Sequence, residues 1–280
     1  MEINVMKNRK ITKKIGAHAL MIIVIIIVLF PMLYALVVST QTKGEYFKFP
    51  PSMLPGSGAA ENYTEAWQKG DLGRLLLNSS FISLFVACGK IVLSILAGFT
   101  FVYYKFKGKT FFFIMILITQ MLPLPVRIVP TYLLMSQFGW INTYWALTIP
   151  FFASATGTLL FKQLYMMIPS SFADAAKIDG VNSVQFLWHI VIPLSKTNIA
   201  ALFLIEFIFI WNQYLWPLIV GNSREVRVIQ IGLKQLIDTD AAVSWNVLMA
   251  GVVLGMIPPL LILMLFQSSL IKGLSLGQDK

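Results

Sequence analysis

Long apolar stretches separated by shorter polar segments form the dominant pattern in this chain. A helix that crosses a membrane needs about 20 apolar residues, because each residue advances about 1.5 Å through a hydrocarbon layer about 30 Å thick. Six stretches approach or reach that length, so the pattern predicts six transmembrane helices whose ends are uncertain by a few residues. The predicted spans are residues 16–38, 79–102, 111–134, 144–161, 199–220 and 247–266.

The segments outside these stretches divide the chain into three parts. We expect a basic tail over residues 1–15, a transmembrane domain over residues 16–270 and a second tail over residues 271–280. The basic leader resembles the start of a secretory signal, but the apolar stretch behind it is longer than the roughly 7–15 residues of such a signal. The stretch also ends without a small-residue cleavage site, so we expect an uncleaved first helix.

The composition and charge of the chain agree with a membrane protein. The chain is 57% hydrophobic and 12% charged, which is too apolar for the surface of a soluble domain. If both ends lie in the cytoplasm, the inner segments hold 13 basic and four acidic residues, whereas the outer segments hold seven of each. The positive-inside rule therefore predicts cytoplasmic N- and C-termini. The net charge of +10 then reflects orientation and contact with membrane lipid, and no nucleic-acid partner is expected.

The sequence contains no pattern typical of catalysis or metal binding. Two Gly-Lys pairs, Gly89-Lys90 and Gly108-Lys109, lack the earlier glycine of a phosphate-binding loop. The two histidines form no metalloprotease motif, and the single cysteine, Cys88, offers neither a disulfide nor a thiolate cluster. We therefore expect that the chain binds no cofactor or metal itself, has no catalytic residue and is not an enzyme.

Three ionisable residues lie within the predicted spans: Lys90, Arg127 and Glu206. Each costs at least about 2.5–3.5 kcal/mol at the centre of a bilayer unless it is paired or hydrated. Lys90 falls near mid-depth and Glu206 in the inner half of its span. Either the two neutralise each other between helices or Lys90 lines a translocation path, and the sequence leaves both interpretations open.

Arg127 follows two prolines in the third span. Pro123 and Pro125 interrupt helical hydrogen bonding and free carbonyl groups, which then need a protein or water partner. The Arg127 guanidinium either binds a phosphate group on a substrate, for which its forked geometry is suited, or extends to lipid headgroups.

A polar segment, Asn212-Gln213-Tyr214, lies about halfway along the fifth span. Amide side chains at such a depth usually form hydrogen bonds between helices or line a cavity. We favour the cavity, and we therefore take these three residues, together with Lys90 and Arg127, as candidates for the translocation path.

The segment 162–198 between the fourth and fifth spans is much longer than a minimal turn. Ser171 and Asp174 have the spacing of a helix capping box, and Gly180 suits the left-handed conformation that ends a helix. These positions predict a short helix over residues 172–179 outside the membrane. Its small residues would let a partner protein approach closely, although a solvated connecting helix fits the same pattern.

A motif in this segment resembles the EAA loop of permeases from bacterial ATP-binding-cassette importers. The matching residues are Asp174-Ala175-Ala176-Lys177-Ile178-Asp179-Gly180, followed by Phe186 and by Ile192-Pro193-Leu194. Asp174 stands where the family usually has glutamate. In that family the loop forms a coupling helix that docks in a groove of the ATPase subunit. The resemblance therefore implies a coupling role for Asp174, Ala175, Ala176, Asp179 and Gly180.

The resemblance extends along nearly the whole chain to the second permease of carbohydrate-type importers, the maltose class, and within it to the branch that carries sn-glycerol-3-phosphate. The passages that carry this resemblance are Met121-Leu122-Pro123 with Val126-Arg127-Ile128 and Pro130-Thr131; Ala153-Ser154-Ala155-Thr156; Pro193-Leu194-Ser195-Lys196-Thr197-Asn198 with Ala200-Ala201-Leu202-Phe203; Trp211-Asn212-Gln213-Tyr214-Leu215-Trp216-Pro217; and Trp245-Asn246 with Ile257-Pro258-Pro259.

This resemblance implies an all-helical permease of the bacterial cytoplasmic membrane that works with a second homologous permease, two ATPase subunits and an extracellular solute-binding protein. ATP and Mg²⁺ would bind the partner ATPase subunits. The expected cargo is sn-glycerol-3-phosphate or a glycerophosphodiester, with a neutral oligosaccharide as the alternative. Two other classes are an ion-driven secondary transporter and an intramembrane enzyme. We find no internal repeat to support the first and no complete catalytic set to support the second.

Overall fold

The computed structural model describes residues 2–237 and 243–275, and all regular secondary structure in these ranges is helical. The α-helices, a 3₁₀ turn and a π-helical turn follow one another as α1 (Glu2–Val38), α2 (Lys43–Tyr46), α3 (Ala59–Lys69), α4 (Leu72–Tyr103), α5 (Lys109–Met121), α6 (Leu124–Gln137), α7 (Tyr144–Thr148), the 3₁₀ turn (Ile149–Phe151), α8 (Ala155–Met166), α9 (Ser170–Ile178), α10 (Ser183–Phe186), the π turn (Leu187–Val191), α11 (Ile192–Leu194), α12 (Lys196–Trp211), α13 (Leu215–Val220), α14 (Ile229–Gln235) and α15 (Trp245–Ser275).

Three of these helices contain unbroken segments long and apolar enough to cross a membrane: Lys14–Val38, Leu72–Tyr103 and Trp245–Ile271. Three helix pairs pass the same test of length and composition only when both members are counted together, and each pair is bent. The described residues therefore supply between three and six candidate spans. The bent pairs are Lys109–Met121 with Leu124–Gln137, Tyr144–Phe151 with Ala155–Met166, and Ser183–Leu194 with Lys196–Trp211.

The third predicted stretch contains two helices rather than one. The axes of α5 and α6 differ by 104°. Pro123 is the N-cap of α6 and Pro125 lies in its first turn, where the missing amide hydrogen breaks no helical bond. The predicted interruption by these two prolines is therefore confirmed.

The fifth predicted stretch is also divided. Helix α12 ends at Trp211 and α13 begins at Leu215, which leaves Asn212, Gln213 and Tyr214 between them. Pro217 explains part of this break, because it has no amide hydrogen to donate to the carbonyl four residues earlier. The polar segment found in the sequence is thus a gap between two helices.

The described residues form two compact units. The first contains residues 2–72, 233–237 and 243–255, and the second contains residues 73–232 and 256–275. The functional residues predicted from the sequence all belong to the second unit.

Buried polar side chains hold the first unit together. The Asn62 side chain is 3% exposed and donates to the carbonyls of Ser39 at 2.9 Å and Gln41 at 2.8 Å, while it accepts from Asn246 at 2.6 Å. These bonds join the end of α1 to α3 and to the start of α15. Asn62-Tyr63-Thr64 matches the three-residue pattern of an N-glycosylation acceptor, but these bonds occupy its amide nitrogen, so the residue is not an accessible acceptor.

A capping interaction orders the short helix α2 in the same unit. The amide and the hydroxyl of Thr42 both donate to the Glu45 carboxylate, at 2.7 and 3.0 Å. The amide is the stronger influence, and together the two donors hold the pKa of Glu45 below its usual range.

Glycines allow close packing of α4 against the bent pair Tyr144–Phe151 with Ala155–Met166 in the second unit. A Cβ atom added to Gly89 would lie 2.9 Å from the Phe152 ring, and one added to Gly98 would lie 2.8 Å from the Phe161 Cβ. A Cβ added to Gly157 would collide with the Ser94 side chain. Small residues at a helix contact let the backbones approach, which is how apolar helices associate without a hydrophobic driving force from water.

Two apolar clusters fill the second unit. The first surrounds Trp216, which is 1% exposed and donates its indole hydrogen to the Ala146 carbonyl at 2.9 Å. The second surrounds Phe161 and Val191, both with no exposed surface, and draws residues from α4, α8, α9 and α12. The second cluster therefore connects the segment between residues 162 and 198 to α4 and α12.

We expect Gly157→Ala to destabilise the protein by about 1–3 kcal/mol, the usual range for overpacking. The new Cβ would lie 2.9 Å from the Ser94 Cβ and 3.1 Å from a Leu202 methyl group, so the helices would have to separate. The measurement is the thermal unfolding midpoint of the purified protein in detergent.

Gly16→Ala is the matched control for this change, because nothing lies within 4 Å of its added Cβ. Adding Ser94→Gly to Gly157→Ala should restore most of the lost stability. An unchanged midpoint in Gly157→Ala would show that this helix contact is not closely packed.

Candidate functional site

Helix α9 occupies the segment for which the sequence predicts a short helix. It runs over Ser170–Ile178 and therefore begins two residues before the predicted start. Pro169 is its N-cap, and the Pro169 carbonyl accepts from the Phe172 amide at 3.1 Å. The predicted capping box of Ser171 and Asp174 is wrong, because no side chain caps this end and Ser171 already lies inside the first turn.

The other end of α9 has the geometry that Gly180 predicts. Gly180 has a φ of +72°, the left-handed conformation, and its amide donates to the Lys177 carbonyl at 3.1 Å. The Val181 amide donates to the Ala176 carbonyl at 2.8 Å. These two bonds form a Schellman motif, which satisfies carbonyl groups at a helix end. The predicted stop at Gly180 is confirmed.

The small residues of α9 point in two directions. Ala176 is 5% exposed and belongs to the second apolar cluster, whereas Ala175 is exposed. Ile178 is 86% exposed, an unusual position for a large apolar side chain. Asp174 pairs with Lys177 at 3.4 Å, but both side chains are largely exposed, so this pair adds little stability. The outward surface of α9 thus includes Ala175 and Ile178 beside the charged side chains, with Ala176 turned into the protein.

A buried ion pair joins two of the charged residues found in the spans. The Lys90 ammonium lies 2.5 Å from Glu206 Oε2, and the two residues are 7% and 6% exposed. The Ser154 hydroxyl donates to Glu206 Oε1 at 3.1 Å and accepts from the Gly157 amide at 3.0 Å. Of the two interpretations that the sequence left open for Lys90, the structure has the ion pair with Glu206, which links α4 to α12 and, through Ser154, to the start of α8.

Ser154 is a member of this site that the sequence analysis missed. It is the N-cap of α8, and a serine three residues before Gly157 is a recognisable cap position. Its second bond, to Glu206, spans 52 positions along the chain. The cap position therefore identifies Ser154 from the sequence, but no local pattern indicates its contact with Glu206.

The gap between α12 and α13 opens on a cavity of about 360 Å³. This volume falls within the range of small-molecule sites in proteins. The lining residues are Leu124, Ile208, Phe209, Asn212, Gln213, Tyr214, Leu215 and Trp216. The structure thus brings together three of the residues proposed for the path, Asn212, Gln213 and Tyr214, at one cavity wall.

Arg127 lies beside a second, smaller cavity of about 30 Å³. Leu124 and Trp216 line both cavities, so the two are adjacent. Lys90 lines neither of them. Its ammonium lies 5.0 Å from the centre of the Phe209 ring, and Phe209 stands on the wall of the larger cavity. Lys90 is therefore placed behind that wall.

The sequence matches a known protein family over much of its length. Residues 90–275 match the family model for the binding-protein-dependent transport system inner membrane component. The match covers more than half of the chain, so the chain belongs to this family. Its members are permease subunits and not enzymes themselves. Together with the apolar helices, this makes the chain a multi-pass protein of the cytoplasmic membrane.

Relatives with nearly the same length share much of the sequence. The chain is 45% identical over 276 residues to the sn-glycerol-3-phosphate transport system permease protein UgpE of Agrobacterium fabrum, covering 96% of this chain and 98% of the relative. It is 40% identical over 267 residues to the protein of the same name from Pectobacterium atrosepticum, covering 93% and 95%. The resemblance drawn from the EAA motif and the other passages is confirmed.

A solved structure has the same fold. It comes from a bacterial ABC transporter involved in the import of the acidic polysaccharide alginate. The two chains superpose with a TM-score of 0.82 over 91% of this chain and 95% of the other, at 22% sequence identity. The fold is therefore that of an ABC transporter membrane subunit.

We expect the single reversals Lys90→Glu and Glu206→Lys each to destabilise the protein by about 3–5 kcal/mol, because each leaves two like charges buried together. The double reversal should recover most of this loss, since the Ser154 hydroxyl can accept as well as donate. Thermal unfolding midpoints of the purified protein measure both effects.

The exposed pair of Asp174 and Lys177 provides the control. The single reversal Lys177→Glu should change the free energy of unfolding by less than about 0.5 kcal/mol. Failure of the double reversal to improve on either single change would rule out a direct stabilising pair between Lys90 and Glu206.

Proposed function

We propose that this chain is one of the two membrane-spanning subunits of an ATP-driven importer for sn-glycerol-3-phosphate or a glycerophosphodiester. In this proposal it crosses the membrane six times with both ends in the cytoplasm. It works with a second homologous permease, two ATPase subunits that bind ATP and Mg²⁺, and an extracellular solute-binding protein. The observation that carries the cargo is the name shared by relatives that are 40–45% identical over nearly the whole chain.

The orientation is supported by charge. The predicted inner segments contain a large excess of basic over acidic residues, whereas the outer segments are balanced. Counting each bent helix pair as one span gives the even number that returns the chain to its starting side. If each bent pair is one span, its break places non-helical backbone at membrane depth. Such backbone is tolerated where it borders protein or a water-filled cavity.

The coupling role of α9 is supported by its two faces. Ala175 and Ile178 form an exposed surface suited to a partner protein, and Ala176 packs in the cluster that contains Phe161 and Val191. Asp174, Asp179 and Gly180 complete the segment that resembles the EAA motif. Closure of the ATPase dimer would move α9, and the cluster would carry that movement to α4, α8 and α12.

The translocation path is supported by the larger cavity. Asn212, Gln213 and Tyr214 supply polar groups to its wall, and Arg127 lies at the adjoining smaller cavity. Lys90 contributes from behind the wall, because its ion pair with Glu206 and its contact with Phe209 fix the position of α12.

We expect Gly180→Val to abolish ATP-dependent uptake while the protein still inserts into the membrane. A β-branched residue strongly disfavours the positive φ of Gly180, so the end of α9 would unwind. The measurement is cargo uptake by cells that carry the complete importer, with membrane level checked by immunoblot.

Gly180→Asn is the matched control, because asparagine tolerates the left-handed conformation and nothing lies within 4 Å of the added Cβ. Gly180→Asn should retain most of the uptake. Full uptake by Gly180→Val at normal membrane level would contradict the coupling role of this helix end.

We also expect cells with the complete importer to take up radiolabelled sn-glycerol-3-phosphate. Unlabelled glycerophosphodiesters should compete for this uptake, whereas maltose-type sugars should not. Uptake of sugar alone would keep the importer class but replace the cargo with a neutral oligosaccharide. Uptake that persists without the ATPase subunits and collapses with the ion gradient would instead favour a secondary transporter.

A further inference from the structure

Arg127 differs from the other arginines whose side chains the structure describes. Arg74, Arg224 and Arg227 each interact with another group. Arg127 is exposed and makes no hydrogen bond or ion pair with any residue whose side chain the structure describes. It lies one turn into α6, directly after the break of the third span. A guanidinium without a partner at a broken membrane helix is expensive unless something outside the chain neutralises it.

Arg127 lies next to residues that line the larger cavity. Leu124 and Arg127 are three positions apart on α6, so they share one face of that helix. Leu124 lines both the smaller cavity beside Arg127 and the larger cavity beside Asn212. Trp216 does the same from α13. Arg127 and the residues between α12 and α13 therefore border two adjacent cavities that share Leu124 and Trp216.

The residues between α12 and α13 provide a hydrogen-bond acceptor near Arg127. The Asn212 amide nitrogen donates to the Ile208 carbonyl at 3.0 Å. The side-chain oxygen of Asn212 then remains available on an exposed residue at the cavity wall. A carbonyl oxygen accepts hydrogen bonds from hydroxyl groups, and an arginine donates two parallel bonds to a phosphate.

We propose that Arg127 binds the phosphate group of the cargo inside the membrane and that Asn212 accepts a hydrogen bond from a hydroxyl of its glycerol part. This inference rests on the proposed importer function and adds a selective role for this subunit. The site matches a small molecule with an anionic phosphate at one end and hydroxyls at the other. A neutral oligosaccharide supplies the hydroxyls but not the anion.

The test uses the complete importer in proteoliposomes, with its solute-binding protein saturated with radiolabelled sn-glycerol-3-phosphate. Cargo uptake and ATP hydrolysis are measured on the same vesicles. Arg127→Gln should lower uptake about tenfold or more, the effect expected for loss of a hydrogen bond to a charged group. ATP hydrolysis should change by less than about twofold, because the binding protein and the ATPase subunits still act. Cargo moved per ATP should therefore fall.

Two variants sharpen this comparison. Arg127→Lys keeps the charge but loses the forked geometry, so its uptake should be intermediate. Arg224→Gln removes an exposed arginine from the loop between α13 and α14, and both of its rates should equal those of wild type.

Three results would overturn the proposal. The first is full uptake by Arg127→Gln. The second is a parallel fall of uptake, ATP hydrolysis and thermal stability, restored by added anionic phospholipid, which would assign Arg127 to a lipid headgroup phosphate. The third is wild-type importer that moves no phosphate ester. That result overturns the proposed cargo itself, and it is visible before any variant is compared.

Discussion

Lys90 and Glu206 place opposite charges within long apolar stretches of α4 and α12, and their mutual neutralisation constrains how these two helices pack. Neither charge is tolerable alone in hydrocarbon, so α4 and α12 must hold the two groups within contact distance. The Ser154 hydroxyl satisfies the other carboxylate oxygen while it caps α8. One polar cluster therefore fixes the relative positions of three helices at one level.

The glycine contacts and the apolar clusters extend this arrangement along the same helices. Gly98 and Gly157 let α4 and α8 approach closely, and the cluster around Phe161 continues to Ala176 on α9. A displacement of α9 would thus act on helices that are closely packed against one another. In the proposed importer this provides a mechanical route from the ATPase subunits to the gap after α12.

The helix breaks of the second unit border the proposed translocation path. A break at membrane depth leaves carbonyl groups without helical partners, and these groups need water or another protein. The break before α6 and the break before α13 border adjoining cavities, which share Leu124 and Trp216. Polar backbone and the side chains of Arg127, Asn212 and Gln213 therefore lie beside the proposed path of the cargo.

The sequence by itself determined the properties that depend on short stretches of chain. Apolar length predicts membrane helices, Pro123 and Pro125 predict the interruption of the third span, and Gly180 predicts the end of α9. The EAA motif identifies the family for the same reason, since its residues are consecutive. The predicted capping box failed because Ser171 and Asp174 have the right spacing, but Pro169 starts the helix earlier.

Only the tertiary structure decided which distant residues meet. Lys90 and Glu206 are 116 positions apart, and the sequence left their pairing open against a role for Lys90 in the path. Three features had no local signal: the contact of Ser154 with Glu206, the contact of Lys90 with Phe209 at the cavity wall, and the inward direction of Ala176. These features depend on how helices pack, which is decided by the combined shape of many side chains rather than by the residues next to each position.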